Sequence, residues 1–348
     1  MKKVLFVLVI AVAILSCKRE TVFASRDISK VEIERVFEDS LLNVRALEIF
    51  TNGEIAFATS NGQIGSVNGE LNTGSYLINI SHDTIVPNFR SFEMRNDTNF
   101  ALSIASPALL FKIEKGSYRI VYKEEGEGVF YDALSFWNDQ EGIAIGDSIG
   151  GCLSIIITRD GGKTWNKLSC DDLPKAIENE GAFAASDTNI SIVGDKTWIA
   201  TTAGRVYYSE DKGNIWEVFD TPIVKEKDTE GIYSIDFYDE LNGFAIGGDY
   251  TKPDNNAANK IRTIDGGKTW ELVAQNQSPG YRSCVQYIPN RAGKELVAIG
   301  FKGIDYSSDS GTIWKHLSDE GFYSIRFLND SIAYAAGAGR ISKLTFRE

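Results

Sequence analysis

Four short segments of the sequence align without gaps, and their regular recurrence constrains the fold more than any other feature. In each segment Ser or Thr stands two residues before an Asp, Gly stands two residues after it, and Trp stands five residues after it. The segments are TRDGGKTW (Thr158 to Trp165), SEDKGNIW (Ser209 to Trp216), TIDGGKTW (Thr263 to Trp270) and SSDSGTIW (Ser307 to Trp314). Their Asp residues are 51, 54 and 44 positions apart. This period suits one four-stranded propeller blade per repeat.

The residue types of the motif predict a tight turn between two strands. An Asp carboxylate can accept backbone N–H groups inside such a turn, Gly permits a backbone angle that other residues resist, and Trp buries a large ring between sheets. Two less complete copies occur at Ser66 to Glu70 and at Lys112 to Gly116. We therefore expect structural rather than catalytic roles for Asp160, Asp211, Asp265, Asp309, Trp165, Trp216, Trp270 and Trp314.

Short alternating strands precede the motifs and complete a larger repeat. Seven such units begin near residues 45, 90, 131, 189, 233, 282 and 323. They predict an all-β, seven-bladed propeller of four-stranded antiparallel blades over residues 29–348. The last unit has room for only three strands. The segment Lys30 to Phe37 is therefore expected to join the last blade as its outer strand and close the ring.

The first residues read as a targeting segment and not as part of the fold. Lys2 and Lys3 precede an apolar run, Val4 to Leu15, that is too short to span a bilayer as a helix. The run ends in Ile14-Leu15-Ser16-Cys17, which resembles a lipobox. These features predict a lipoprotein signal peptide over residues 1–16 and a lipidated Cys17 at the start of a polar tether over residues 17–28. The expected location is the cell envelope, at the outer membrane, on a side that the sequence leaves open.

Charge and composition exclude several classes of partner. The chain has 36 Lys and Arg against 48 Asp and Glu, a net charge of −12, which argues against binding nucleic acid or an anionic membrane in general. Its two His residues, His82 and His316, are far apart, so no metal site is predicted. No nucleotide-binding glycine fingerprint follows a strand, so no cofactor is expected. We expect a monomer that contacts the membrane through the lipid anchor only.

The repeated motif resembles the Asp-box (BNR) repeats of sialidases and sortilin-type propellers. The region from Val44 to Leu344 is similar to photosystem II assembly-factor-like propellers of non-photosynthetic bacteria. That similarity is carried by GAFAASDTN (Gly181 to Asn189), GGDYTKP (Gly247 to Pro253), GYRSCVQYIP (Gly280 to Pro289) and GRISKL (Gly339 to Leu344). The resemblance implies the fold strongly and an activity only weakly, because function depends on sites carried by a fold.

Two classes of function remain. The first is a binding or assembly scaffold for a protein or glycan partner. The second is a carbohydrate-active enzyme, either a sialidase-like glycoside hydrolase or a polysaccharide lyase. Sialidases usually carry an Arg-Ile-Pro segment near the first blade, and this sequence has none there. We therefore favour the scaffold and assign no catalytic residue.

The starts of the inner strands indicate where a partner would bind. Propeller geometry places them at one mouth of the central channel, where Asp132, Asp147, Glu180 and Asp249 are also expected. Arg can grip carboxylate oxygens in a bidentate manner and Tyr can stack on a ligand, so the mouth is predicted to bind an anionic or polar partner. Alternatively, each Arg pairs with a carboxylate of a neighbouring blade. The aligned residues are Arg45, Arg90, Tyr131, Tyr233, Arg282 and Tyr323.

Two of the four cysteines are candidates for a disulfide. Cys152 and Cys170 each lie nine residues from Gly161, at the middle of a predicted hairpin turn. This symmetry would place them opposite one another on adjacent strands, within bridging distance in an oxidising envelope. The alternative is two unpaired thiols. Cys284 is expected to stay single and buried in an inner strand.

Overall fold

The computed structural model describes residues 23–50, 53–68 and 73–348. Within them the chain is all-β apart from one short 3-10 helix, Cys170–Asp172. The strands of the first half are β1 (Lys30–Ile49), β2 (Glu54–Thr59), β3 (Gln63–Asn68), β4 (Thr73–Asn79), β5 (Phe89–Arg95), β6 (Thr98–Ser103), β7 (Ala108–Glu114), β8 (Ser117–Glu124), β9 (Tyr131–Phe136), β10 (Gly142–Ile149), β11 (Cys152–Thr158) and β12 (Asn166–Lys167). Those of the second half are β13 (Ile190–Val193), β14 (Lys196–Ala200), β15 (Arg205–Ser209), β16 (Glu217–Asp220), β17 (Ile232–Phe237), β18 (Gly243–Gly247), β19 (Lys260–Thr263), β20 (Glu271–Leu272), β21 (Cys284–Tyr287), β22 (Leu296–Gly300), β23 (Gly303–Ser307), β24 (Lys315–Ser318), β25 (Ser324–Phe327) and β26 (Ile332–Arg347).

The strands form a β-propeller of six antiparallel sheets, so the prediction of seven separate four-stranded blades is wrong. Five sheets hold four strands each, and the sixth holds six strands in the order β25-β26-β1-β2-β3-β4. The reason lies in two long strands, since β1 has 20 residues and β26 has 16. They pair from Lys30↔Arg347 to Asn43↔Ala338 through two register shifts, and β1 then continues along β2. The first and last predicted units are therefore hydrogen-bonded into one sheet.

The pairing of the two chain ends has the form that the sequence predicts. The start of β1 runs antiparallel to the end of β26, with Ile33 opposite Leu344. The fold begins earlier than expected, however. Arg26 donates to Glu295 Oε2 at 2.6 Å and Ile28 is fully buried. Residues 23–28, assigned to the tether, thus pack on the propeller, because an ion pair and an apolar side chain hold them there.

Large aromatic side chains fill the space between neighbouring sheets. Phe100 of β6 packs on Phe136 of β9 with ring centroids 4.8 Å apart. Trp198 of β14 stacks on Phe237 of β17 at 3.7 Å. Such contacts bury apolar surface and add the specific attraction of paired rings, so each sheet is held by its neighbours.

The four repeated turns, here called the box turns, have the hydrogen bonds that the sequence predicts. The Asp160 Oδ1 atom accepts the backbone N–H groups of Lys163 and Thr164, both at 2.9 Å. The corresponding oxygens of Asp211, Asp265 and Asp309 accept the N–H group four residues on at 2.8–2.9 Å. Each turn joins the third and fourth strands of its sheet.

The tryptophans of the box turns are less uniformly buried than predicted. Trp165 and Trp216 are buried, whereas Trp270 and Trp314 are only partly so. In the last three turns the indole N–H donates to the carbonyl three residues earlier, at 2.9–3.1 Å. The ring therefore closes its own turn as well as packing between sheets.

The box turns define one face of the propeller, here called the box face. Each donates a backbone N–H to the turn between the first and second strands of the same sheet, as from Gly266 to Leu241 O at 3.0 Å. The same contact joins Ser310 to Lys294 at 2.8 Å. The turns between second and third strands consequently lie on the opposite face, here called the mouth face.

Cys152 and Cys170 form the predicted disulfide, with their Cα atoms 5.4 Å apart. The predicted reason was incorrect, because Cys170 does not lie on the adjacent strand. It begins the 3-10 helix that follows β12. Cys284 is a buried free thiol, as expected.

No helix among the described residues is long and apolar enough to cross a membrane. The predicted signal peptide, Cys17 and the tether up to residue 22 lie outside the described residues.

Candidate binding pocket at the mouth of the channel

The register of the inner strands decides which side chains reach the channel mouth. Pairing of β1 with β2 skips from Val44 to Ala46, so Arg45 lies in a bulge at the start of the inner strand. The pairings of β5 and β17 skip Arg90 and Tyr233 in the same way, and that of β9 skips Asp132. The equivalent residues before β21 and β25 are Ser283 and Tyr323, whose backbone N–H groups donate to Ile299 O and Ala336 O on the second strand. We call these the mouth positions: Arg45, Arg90, Asp132, Tyr233, Ser283 and Tyr323.

Five of the six mouth positions line one cavity of about 480 Å³. Only Asp132 does not. The rest of the wall is largely aromatic and consists of side chains that sequence reasoning did not select. Tyr250 and Phe301 belong to turns between second and third strands and are both half exposed, whereas Tyr281 is buried. Phe183 stacks on Tyr233 with ring centroids 3.7 Å apart.

The floor of the pocket is a connecting segment, residues 181–189, that enters the central channel and is here called the plug. Ser186 donates to Ser283 O at 2.7 Å and accepts at its own carbonyl from Ser324 at 3.1 Å. Asp187 then accepts the backbone N–H groups of Phe92 and Leu134 at 2.9 and 3.2 Å. Because the plug bonds to several inner strands, it closes the channel between the two faces. It coincides with the resemblance segment Gly181 to Asn189.

Arg45 and Arg90 carry the charge of the pocket. Arg45 lies over the Tyr323 ring at 3.9 Å and donates to Ala185 O at 3.2 Å, and Arg90 donates to Ala184 O at 3.1 Å. No carboxylate of the described residues forms an ion pair with either guanidinium. Burial lowers the pKa of Arg45, and burial together with the charge of Arg45 lowers that of Arg90 to about 10. The protein thus holds two adjacent cations, partly desolvated and without an anion.

Two predicted mouth residues, Arg282 and Tyr131, point away from the channel. The alignment of the inner-strand sequences that selected them was one residue out of register at these positions. Arg282 precedes the mouth position Ser283, is buried, and pairs with Asp305 at 2.6 Å. Tyr131 precedes the mouth position Asp132 and donates to Glu124 at 2.7 Å. Alternation along a strand turns a side chain by half a turn per residue, so a slip of one residue removes it from the channel. Arg282 therefore forms an ion pair, but with a carboxylate of its own sheet and not of a neighbouring blade as the alternative proposed, and Arg45 and Arg90 form none among the described residues.

Of the predicted carboxylates next to the plug, Asp132 is fully buried, and Asp147 is partly buried and accepts the N–H of Ala182 at 3.3 Å. The carboxyl of Asp132 lies near the carboxyl of Asp147 and the backbone N–H of Ala182. Burial and the nearby Asp147 hold the pKa of Asp132 well above its usual range, and burial raises that of Asp147 to about 6. Neither carboxyl lines the pocket.

Glu180 and Asp249 are also structural. The buried Glu180 pairs with Arg205 and accepts from Thr201 at 2.8 Å. Asp249 accepts the N–H and the hydroxyl of Thr251, at 2.9 and 2.6 Å, which lowers its pKa. Glu180 is held by residues around β15 and Asp249 by its own turn, and neither side chain lines the mouth pocket.

The opposite end of the channel contains the residues three positions further along each inner strand. They include Glu48, Glu93, Asp236 and Arg326, which line a second cavity of about 410 Å³ on the box face. Here the arginines have carboxylate partners, since Arg326 donates to Glu48 at 3.1 Å and Arg95 contacts Glu93 at 3.1 Å. The two ends therefore differ in how their charges are compensated.

Comparison with known proteins supports the fold and leaves the function open. Neither a protein-family model nor a curated protein sequence matches the chain. Among solved structures, YCF48 bound to D1 peptide is 14% identical with a TM-score of 0.64, over 94% of this chain and 100% of that one. The virginiamycin B lyase of Staphylococcus aureus with quinupristin is 12% identical with a TM-score of 0.66, over 91% and 99%. The WD40 repeats of RRP9 are 11% identical with a TM-score of 0.63, over 93% and 100%.

At these identities the likeness shows that the chain is a β-propeller and no more. It includes the assembly-factor type of propeller that the sequence resembles. The Asp-box family itself is not identified by these matches, although the turns have the geometry that its motif implies.

Proposed function

We propose that this protein is a binding scaffold whose mouth pocket takes a carboxylate-bearing segment of a peptide or protein partner. The observation that carries the proposal is the pair Arg45 and Arg90, two partly buried guanidinium groups with no carboxylate partner among the described residues. A buried charge is costly unless it is paired, so a missing anion is expected from outside the chain.

The surroundings of the two arginines favour a peptide. Their guanidinium groups can hold the two oxygens of a carboxylate, and the aromatic wall of Tyr250, Tyr281 and Phe301 can cover apolar side chains next to it. Ligand pockets commonly combine such an apolar wall with a few polar groups that fix orientation. The peptide bound to YCF48 is a property of that protein, and it shows that a propeller of this shape can take one.

A binding experiment with paired peptides tests the proposal. Fluorescence anisotropy would compare a library of peptides that carry a free C-terminal carboxylate or an acidic side chain with the same peptides amidated. Arg45→Met with Arg90→Met should weaken binding of the selected carboxylate peptide by about tenfold or more, since each charge-assisted hydrogen bond contributes about 1.5–3 kcal/mol. Amidation should weaken binding to the native protein and change little for the variant.

The control is an arginine on the same face that already has a partner. Arg340 pairs with Glu320 at 2.6 Å, so Arg340→Met should leave peptide affinity unchanged. An acidic oligosaccharide, added in the same assay, tests the glycan class. Selection of the oligosaccharide over every peptide, or equal affinity of the Arg45→Met, Arg90→Met variant, would refute a peptide carboxylate as the ligand.

We also propose that the chain is exported and held at the outer membrane through a lipid on Cys17. The support is the order of the basic Lys2-Lys3, the apolar run Val4 to Leu15 and the cysteine directly after Ser16. Incorporation of labelled palmitate into the native chain, and none into Cys17→Ala, is the expected result. Equal labelling of both chains would contradict lipidation at Cys17.

A further inference from the structure

The box face carries apolar side chains that the fold does not use. Ile215, Ile264 and Ile313 lie in three box turns of three successive sheets and are 68%, 68% and 65% exposed. Leu241, in a neighbouring turn of the same face, is also exposed. Isolated surface hydrophobics are common. Here they recur in the same kind of turn, on one face, in sheet after sheet.

Two of these isoleucines replace a residue that would bond to the turn. At the same motif position Thr164 donates its hydroxyl to Asp160 Oδ2 at 2.8 Å, and Thr269 donates to Asp265 Oδ2 at 2.6 Å. Ile215 and Ile313 have no hydroxyl, so their turns lack this bond. The exposed apolar groups therefore stand where a polar residue would suit the fold better.

The described chain also begins on the box face. Arg26 donates to Asp330 O at 2.7 Å, and Asp27 pairs with Lys315, the residue after the last box turn, at 3.2 Å. The ring of Phe23 lies 5.0 Å from the guanidinium of Arg291, in the turn between β21 and β22. The first described residue, Phe23, therefore lies on this face.

The length of the segment between Cys17 and Phe23 limits how the propeller can lie near a membrane. Phe23 is six residues after Cys17. Even fully extended, six residues reach only about 20–22 Å. Crossing the propeller along a seven-residue strand such as β5 would take about 23 Å, so the tether is too short to place the mouth face at the bilayer.

We propose that the box face rests on the lipid bilayer, with Ile215, Ile264 and Ile313 in the boundary between headgroups and acyl chains. This inference rests on the proposed membrane anchor, and it revises the expectation that the lipid is the sole membrane contact. The chain is acidic, with a net charge of −12, so apolar burial and the short tether carry the contact, and attraction to anionic headgroups does not. The mouth pocket then opens away from the membrane, where a partner can reach it.

Site-specific labelling of the full-length lipidated protein tests the orientation. The chain suits it, because Cys152 and Cys170 are bridged and Cys284 is buried. Lys268→Cys places an environment-sensitive dye in a box turn, and Lys302→Cys places the same dye on the mouth face. The protein is bound to vesicles of phosphatidylethanolamine and phosphatidylglycerol that contain nitroxide-labelled lipid. The dye at position 268 should be quenched several-fold more than the dye at 302.

A second comparison replaces the three isoleucines by polar residues that other box turns have at the same positions. The box variant is Ile215→Thr, Ile264→Ser and Ile313→Thr, in which the serine follows Ser308, the residue that stands at the position of Ile264 in the last box turn. The control variant removes three exposed hydrophobics of the mouth face: Leu41→Ser, Val86→Thr and Ile177→Thr. The box variant should lose the quenching at position 268, and the control variant should retain it.

The outcomes separate this inference from the anchor on which it rests. A chain that binds vesicles through Cys17 but shows equal quenching at both labels, or more at 302, overturns the orientation and leaves the anchor standing. A chain that does not bind vesicles overturns both. Quenching at 268 that survives in the box variant overturns the role of the isoleucines. None of these results bears on peptide binding at the mouth, which is measured in solution.

Discussion

The two ends of the central channel are formed by the same inner strands, three residues apart, yet their arginines have different partners. At the mouth, Arg45 and Arg90 have carbonyl oxygens and a Tyr ring as partners and no carboxylate. At the box end, Arg326 has Glu48 and the carbonyl of Asp187. The fold evidently can supply a carboxylate to an inner-strand arginine. The lack of a carboxylate at the mouth, among the described residues, is the contrast on which the proposed binding of an external anion rests.

The sharpest test of this contrast is the stability of two Arg→Met variants. Arg326→Met leaves Glu48 and the neighbouring carboxylates in a buried site without their cation, and we expect a loss of about 3–5 kcal/mol in the free energy of unfolding. Arg90→Met removes a cation that has no counter-ion, so stability should be unchanged or should rise by about 1 kcal/mol. Urea titrations of both variants measure the difference. Similar losses for the two would show that the ends of the channel are not distinct.

Protonation of the buried carboxylates at the box end should determine how the free energy of unfolding depends on pH. Burial raises the pKa of Asp187 and of Asp236 to about 7 each. Each raised pKa means that the folded state binds its proton more tightly than the unfolded chain. The stability from these groups is therefore fully present below about pH 4 and is lost as pH rises to about 7, by up to about 1.4 kcal/mol per pH unit for each group.

Amide substitutions isolate that dependence. Asp187→Asn and Asp236→Asn should flatten the fall in stability between about pH 4 and 7, and Asp228→Asn, on an exposed loop, should not. Peptide binding at the mouth should change little over the same interval, because the guanidinium groups stay charged. A stability profile that rises from pH 4 to 7 in the native protein would show that the box-end carboxylates are not the controlling groups.

Sequence reasoning identified the repeating turns and the propeller. It failed for the features that depend on strand register and on how far each strand continues. The Asp, Gly and Trp of each box turn are short-range features that determine their own hydrogen bonds, as at Asp160 and Trp216. The merging of the first and last units depends on a pairing between residues about 300 positions apart. No local pattern signals that β1 and β26 run on without a break, so the blade count was wrong.

The site was predicted only in part, for a related reason. Arg45, Arg90, Tyr233 and Tyr323 reach the pocket, while Arg282 was selected from an alignment one residue out of register. A signal was available, because a polar residue stands three positions after each mouth position, as Glu48 does after Arg45 and Gln286 does after Ser283. Aligning those residues would have placed Ser283 at the mouth. Phe183, Tyr250 and Phe301 come from loops, whose approach to the pocket depends on tertiary packing.

A substitution in one box turn tests whether the box face and the mouth pocket are independent of one another, with a smaller expected effect on stability. Asp265 accepts the N–H of Thr269 at 2.9 Å and two hydroxyl groups at 2.6 and 2.8 Å. Asp265→Ala should lower the free energy of unfolding by about 1–3 kcal/mol, because the turn donors lose their acceptor. Asp265→Asn keeps one acceptor oxygen and should cost less. Peptide affinity at the mouth should be the same for both variants, and a parallel loss of affinity would show that the two faces are coupled.

The smallest expected effect concerns the isoleucines of the box turns. Ile215→Thr restores a hydroxyl at the position where Thr164 and Thr269 bond to their Asp carboxylates. We expect a gain of about 0.5 kcal/mol in the free energy of unfolding, small because water already competes for an exposed oxygen. The reciprocal change, Thr164→Ile, should lose a similar amount at Asp160. A gain for Ile215→Thr together with a similar loss for Thr164→Ile would show that isoleucine makes a box turn less stable than threonine does. If neither substitution changes the thermal midpoint, water solvates the Asp carboxylate of the turn as well as the Thr hydroxyl does. The isoleucine then does not lower the stability of its turn.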